Sequence, residues 1–142
     1  MKAAFIEQTG PPKVIQFDAV SDPTIGDQQV LVRTTAVSVN PIDTYIRNGA
    51  NYWELPKPFV IGCDLAGKVE AVGAAVEGFK VGDRVWGSNQ GLVGRQGTFS
   101  ELCAIDAEWL YPTPSGVQDE DMAASALVGI TAHLGLIREA KL

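Results

Sequence analysis

A chain of 142 residues with 46% hydrophobic and 20% charged residues is long enough to bury one core and too apolar to stay disordered. Its net charge is −6, from 11 basic and 17 acidic residues, and no cluster of Lys or Arg interrupts that balance, which argues against nucleic acid as a partner. No apolar run reaches the length of a membrane span, the opening Met1–Glu7 stretch is too short for a signal peptide, and the two separated cysteines suggest neither a zinc lobe nor a disulfide framework, so a cytoplasmic protein without a membrane partner is expected.

Fifteen glycines and eight prolines favour short strands joined by turns, and the expected class is mainly β with short helices (α+β). Lys2 to Glu7 reads as a strand, Thr9-Gly10-Pro11-Pro12 as a turn and Val14 to Phe17 as the returning strand. Pro23 and Gly26 break the chain before a long β-branched run from Val30 to Val39. At Asn40-Pro41-Ile42-Asp43-Thr44-Tyr45-Ile46-Arg47-Asn48-Gly49, Asn can cap a helix, Pro can take its first position and Gly can close it, which predicts two helical turns. Ile42, Tyr45 and Ile46 share one face of that helix. Tyr45 reads either as core or as a ring that turns its hydroxyl into a cleft.

Two close prolines make residues 51–58 a surface loop carrying Tyr52 and Trp53. Val60 to Gly73 is punctuated by Gly62, Gly67 and Gly73, at points where a strand, a neighbour or a ligand approaches closely. From its residues alone it is a glycine-punctuated hairpin. Gly78 to Val85 reads as a turn and strand, and Trp86 to Gly97 as a flexible glycine-rich loop with no Lys-Ser/Thr ending, hence no phosphate loop. Thr98 to Ile105 and Glu108 to Pro112 read as further strands. From Asp119, Met122, Ala123, Ala126, Leu127, Ile130, Leu134 and Ile137 repeat at helical spacing, which predicts two helices or one broken near Gly129.

Three single residues invite chemistry and each has a plainer reading. His133, the only histidine, suggests a general acid or an ordinary helix position. Asp64 could be a metal carboxylate or a buried loop anchor, and the absence of a His or Cys partner at ligand spacing favours the anchor. Cys63 reads as a buried, inert thiol.

Gly62-Cys63-Asp64-Leu65-Ala66-Gly67, with Gly73 and Val76 after it, keeps the glycine spacing of the loop that holds the catalytic zinc of medium-chain alcohol dehydrogenases through a Gly-His-Glu start; here Cys63 and Asp64 replace His and Glu. Gly78-Phe79-Lys80-Val81-Gly82-Asp83-Arg84-Val85 matches the segment that follows in that superfamily. With the Asn40–Gly49 stretch and Gly97-Thr98-Phe99-Ser100-Glu101, the sequence resembles the zinc-free, zeta-crystallin-like branch of NADPH:quinone oxidoreductases along its whole length.

The resemblance implies a GroES-like β-barrel catalytic domain over residues 1–113 and a helical connection over 114–142. That connection would lead toward a Rossmann domain for NADPH, which does not begin within these residues. It further implies hydride transfer to a quinone or related conjugated carbonyl, no zinc, and an isolated chain that is inactive and self-associates. Asn40, where zinc-dependent relatives carry a Cys ligand, is implied to contact the nicotinamide or line the substrate pocket; its plainer reading is a helix cap. Tyr45 and Tyr52 are implied to flank the quinone, and Thr131 to lie near the nicotinamide. Two other readings stay open: an enoyl or acrylate reductase of the same superfamily, and a stand-alone co-chaperonin-like binding module.

Overall fold

The computed structural model describes residues 1–50 and 52–142; Asn51, the first residue of the loop expected over 51–58, lies outside the described residues. In chain order the strands are β1 (Lys2–Ile6), β2 (Gln16–Ala19), β3 (Gln29–Ser38), β4 (Phe59–Val60), β5 (Asp64–Val72), β6 (Arg84–Gly87), β7 (Leu102–Asp106) and β8 (Leu110–Pro112). Helix α1 (Pro41–Asn48) joins β3 to β4, and helix α2 (Asp119–His133) follows β8. The strands pair antiparallel into two sheets, ordered β2-β1-β4 and β7-β3-β5-β6-β8. The segment before β7 stitches the sheets together: Ala3 bridges Ser100, Ala4 N donates to Phe99 O at 2.7 Å, and Gly97 N to Val60 O at 2.8 Å. The outcome is the mainly β class with short helices that the sequence leads one to expect.

In β3 the inward side chains are Val30 and Val32, both fully buried, while Arg33 faces solvent, the alternation of a half-covered strand. They meet Leu65, Val69, Val85, Cys103, Ile105 and Leu110 in the larger of the cores. A second core of Ile6, Ile46, Phe59 and Ile61 seats α1 against the smaller sheet. Along β5, Gly67 lies where an added Cβ would overlap the Arg33 carbonyl of β3, so the close pairing of these central strands requires glycine there.

Several features differ from the sequence reading. β8 starts at Leu110 rather than Glu108, because Ala107–Trp109 form a 3-10 turn. Val60 to Gly73 is not a hairpin, since Val60 ends β4 in one sheet while Asp64–Val72 form β5 in the other. The returning strand starts at Gln16 rather than Val14, because Pro12–Val14 form a 3-10 turn closed by Ile15 N donating to Pro12 O. The strand expected from Thr98 begins only at Leu102, since Thr98 and Glu101 donate backbone bonds across to Ile61 and Lys2. Helix α2 runs through Gly129 without a break and gives way later to a π-helical turn, Leu134–Glu139. One interior glycine costs only about 1 kcal/mol, too little by itself to break a helix whose Ala123 and Ala126 are buried against the sheet.

Two glycine substitutions should therefore act in opposite directions. Gly67→Ala forces its Cβ into the β3 backbone and should lower the unfolding free energy by about 3 kcal/mol. Gly129→Ala meets nothing within 4 Å and should raise it by about 0.5–1 kcal/mol. Urea denaturation of the two variants beside the parent chain reads both.

Candidate functional site

Strand register starts the site. In the β3–β5 pairing Ser38 stands opposite Asp64, after two register shifts farther back, between Leu31 and Val32 and between Thr34 and Ala36. Each such shift changes which face the following residues present. Asn40 lies two residues beyond Ser38, at the start of α1. The hydrogen bonds therefore converge on Asp64, which has no exposed surface. Its Oδ1 accepts from Ser88 Oγ at 2.6 Å, and its Oδ2 accepts from Asn40 Nδ2 at 2.9 Å, Ser38 Oγ at 3.1 Å and Leu127 N of α2 at 3.1 Å. Thr98 Oγ1 donates to the Asp64 main-chain carbonyl at 2.8 Å. Asp64 is thus a buried anchor for the elements around it; among the described residues no group of three His, Cys, Asp or Glu side chains converges.

Around this carboxylate the polar groups are ordered by their neighbours. The Asn40 side chain is buried, and its amide nitrogen points at Asp64 rather than outward. Its main-chain N–H donates to Asp43 Oδ2 at 2.7 Å, which closes the first turn of α1. Cys63 Sγ lies 3.9 Å from Ser88 Oγ, whose own hydrogen is committed to Asp64, so the thiol is the donor. Burial, and after it the Asp64 charge, pushes the Cys63 thiol up to about 12, which makes it the inert thiol that the sequence suggests.

The segment from Trp86 to Gly97, expected to be a flexible loop, starts as the end of β6 and is then fastened at several points. Gln90 is buried with Nε2 donating to Ser88 O, and Gln96 pairs like a strand residue with Val60 N and Pro58 O, both at 2.8 Å. Arg95 donates twice to Asn89 O and lies 4.7 Å over the Trp109 ring.

The other sequence-derived site residues fall in two places. Thr131 lies one turn beyond Leu127 on α2, exposed, with Oγ1 donating to Leu127 O at 2.9 Å. Asn40 and Thr131 are therefore connected, through Asp64 and Leu127. Tyr45 is 56% exposed on α1, so it is not core, and Tyr52 is fully exposed, its ring edge-on to Trp53 at 6.0 Å. His133 is exposed near the end of α2. A cleft of about 1020 Å³ between the sheets, lined by residues such as Glu7, Gln90, Arg95 and Cys103, contains none of Asn40, Tyr45, Tyr52 or Thr131. Ser38, Ser88 and the Leu127 N–H were not foreseen. Only the first had a signal, its place near the end of the longest strand beside Asn40.

A model of the alcohol dehydrogenase GroES-like domain matches residues 26–115. The chain belongs to this family. It is 35% identical to the quinone oxidoreductase of Sus scrofa over 141 residues, covering 99% of this chain and 42% of that protein. The quinone oxidoreductase structure from Pseudomonas syringae pv. Tomato DC3000 superposes with a TM-score of 0.88 at 34% identity, covering 98% of this chain and 41% of the other. The Escherichia coli quinone oxidoreductase complexed with NADPH gives 0.88 at 30% identity, covering 99% and 41%. The chain thus spans less than half the length of the relatives it matches, and the resemblance to quinone oxidoreductases drawn from its motifs is borne out. Among the described residues of this GroES-like domain no helix is long and apolar enough to cross a membrane.

Asp43 gives the GroES-like domain a measurable acid response. Burial pushes its carboxyl up to about 6, against the Asn40 N–H that favours the anion, and the nearby Asp64 adds to the rise. The fold therefore binds this proton more tightly than the unfolded chain, where a carboxyl titrates near 4. Its contribution is most favourable below about pH 4 and is lost as pH rises through about 6. Asp43→Asn keeps an acceptor for Asn40 N and removes the ionisation. Urea midpoints at pH 4 and pH 7 should show this variant gaining on the parent chain as pH rises; a constant difference between the two would refute the shift.

Proposed function

We propose that this chain is the catalytic-domain portion of an NADPH-dependent quinone oxidoreductase of the zinc-free, zeta-crystallin-like branch. The reaction would be hydride transfer to a quinone or related conjugated carbonyl. The observation that supports the reading is the hydrogen bond from Asn40 to the Asp64 anchor: at the position where the resemblance puts the Cys ligand of zinc-dependent relatives, an amide is bonded to a carboxylate. The exposed Thr131 hydroxyl, its hydrogen given to Leu127 O, can accept from the carboxamide of a nicotinamide held beside the buried Asn40, and the relative from Escherichia coli carries NADPH. When bound, NADPH supplies the hydride.

The chain's own residues position and polarise. Asn40 and Thr131 are assigned to the nicotinamide side, held at a set separation by the Asp64–Leu127 link. Tyr45 and Tyr52, both exposed, offer flat rings against a flat acceptor and phenolic protons for the carbonyl oxygen that gains charge as hydride arrives. A proton from a phenol or from solvent then completes the hydroquinone. The division at residue 113, a cytoplasmic setting and self-association belong to the same proposal. For self-association the support is apolar surface late in the chain: Leu136 and Ile137 are about half exposed and Leu142 is 82% exposed.

Two experiments test the reading. A longer protein carrying this chain with a dinucleotide-binding domain should oxidise NADPH with a benzoquinone and contain well under one equivalent of zinc, while the 142-residue chain alone should bind NADPH weakly and turn nothing over. Stoichiometric zinc, or preference for an enoyl substrate over the quinone, would overturn the assignment. In the same longer protein, Tyr52→Ala or Tyr45→Ala should reduce quinone turnover more than NADPH affinity. A loss confined to NADPH binding would move these rings to the cofactor side.

A further inference from the structure

A single buried carboxylate joins the two residues assigned to the nicotinamide side, although they lie on different elements and far apart in sequence. Asn40 Nδ2 and Leu127 N both donate to the same oxygen, Asp64 Oδ2, at 2.9 and 3.1 Å. Leu127 O in turn accepts from Thr131 Oγ1 at 2.9 Å. The carboxylate cannot shift without losing one of these bonds, because its other oxygen is held by Ser88 at 2.6 Å and its own main-chain carbonyl by Thr98 at 2.8 Å. Helix α2 approaches closely enough for this because Ala123 and Ala126, which face the sheet, are small and fully buried.

We propose that Asp64 is a positioning residue: by holding Asn40 and the Leu127–Thr131 turn of α2 on one oxygen, it sets the distance between the two groups that orient the hydride donor. Its catalytic consequence rests on the functional reading above; its structural content does not. Asp64 touches neither donor nor acceptor and acts through Asn40 and α2. Hydride transfer is sensitive to small displacements of the reacting carbons, whereas dinucleotide affinity draws mainly on phosphate and ribose contacts made elsewhere. Loss of the anchor should therefore appear in kcat before it appears in KM for NADPH.

Asp64→Asn and Asp64→Ala separate position from charge. In Asp64→Asn the introduced carbonyl can keep the bonds from Asn40 and Leu127, and the introduced amide can turn to Ser88, whose hydroxyl accepts as readily as it donates. In Asp64→Ala all of these bonds go. Heteronuclear NMR on the 142-residue chain should find slow hydrogen exchange at the Asn40 side-chain amide and at Leu127 N–H in the parent and in Asp64→Asn, and exchange at least about tenfold faster in Asp64→Ala. In the longer protein, Asp64→Ala should lower kcat about tenfold or more with KM for NADPH within about threefold, and Asp64→Asn should restore kcat to within about threefold of the parent.

An equal loss in Asp64→Asn would assign the effect to charge and overturn the proposal. So would Asp64→Ala losing only thermal stability, with kcat per folded molecule unchanged. Should Asp64→Ala not fold, the parent and Asp64→Asn decide: rapid exchange at the Asn40 amide in the parent, or a kcat of Asp64→Asn outside that range, overturns it. A longer parent protein without quinone turnover would sink the functional reading and leave the exchange measurements to decide the position claim.

Discussion

A carboxylate with no solvent contact is costly to bury unless its lone pairs are filled, and around Asp64 they are filled from four separate parts of the chain. Ser38 comes from the end of β3, Asn40 from the start of α1, Ser88 from the segment after β6 and Leu127 from α2. Among the described residues no Lys or Arg hydrogen-bonds to it, and its partners are hydroxyls, an amide and a main-chain N–H. Such bonds to a charged acceptor contribute about 1.5–3 kcal/mol each, and losing one donor leaves the remaining charge undersolvated. The elements must therefore keep their mutual positions for the carboxylate to remain buried at tolerable cost.

That convergence depends on backbone geometry settled well away from it. The two register shifts in the β3–β5 pairing bring Ser38 opposite Asp64, and Gly67 lets those strands approach. The buried Val30, Val32, Leu65 and Val69 then fix the pair from the opposite face, each side chain contributing about 1.5–3 kcal/mol through removal from water. A slip of one residue would turn the inward valines outward and carry Ser38 and Asp64 to the wrong faces together. Core packing and site geometry are thus enforced by the same register.

Helix α2 is held to the sheet at two points of different character. Near its start, Arg84 donates to Asp119 Oδ1 and, at 2.7 Å, to Val117 O; this pair is partly exposed and sets the entry angle more than it stabilises. Farther along, Ala123 and Ala126 pack flat and the Leu127 N–H meets Asp64. Beyond that point no residue of the helical stretch is buried, so α2 is anchored to the sheet along its first half only.

The sequence by itself determined the mainly β class, the long central strand, α1 with Gly49 closing it, and the glycine spacing from Gly62 to Gly73. These are local matters: side-chain alternation, a residue able to take positive φ, and motif spacing all act within a few residues. The exposure of Tyr45, the late start of β7, the passage of α2 through Gly129 and above all the partners of Asp64 were decided only by tertiary structure. Ser38, Ser88 and Leu127 lie 26, 24 and 63 residues from Asp64, and no pattern along the chain records which donors will meet there. What selects them is that a buried carboxylate must have its acceptors filled, and only the folded sheet and helix bring those donors within reach.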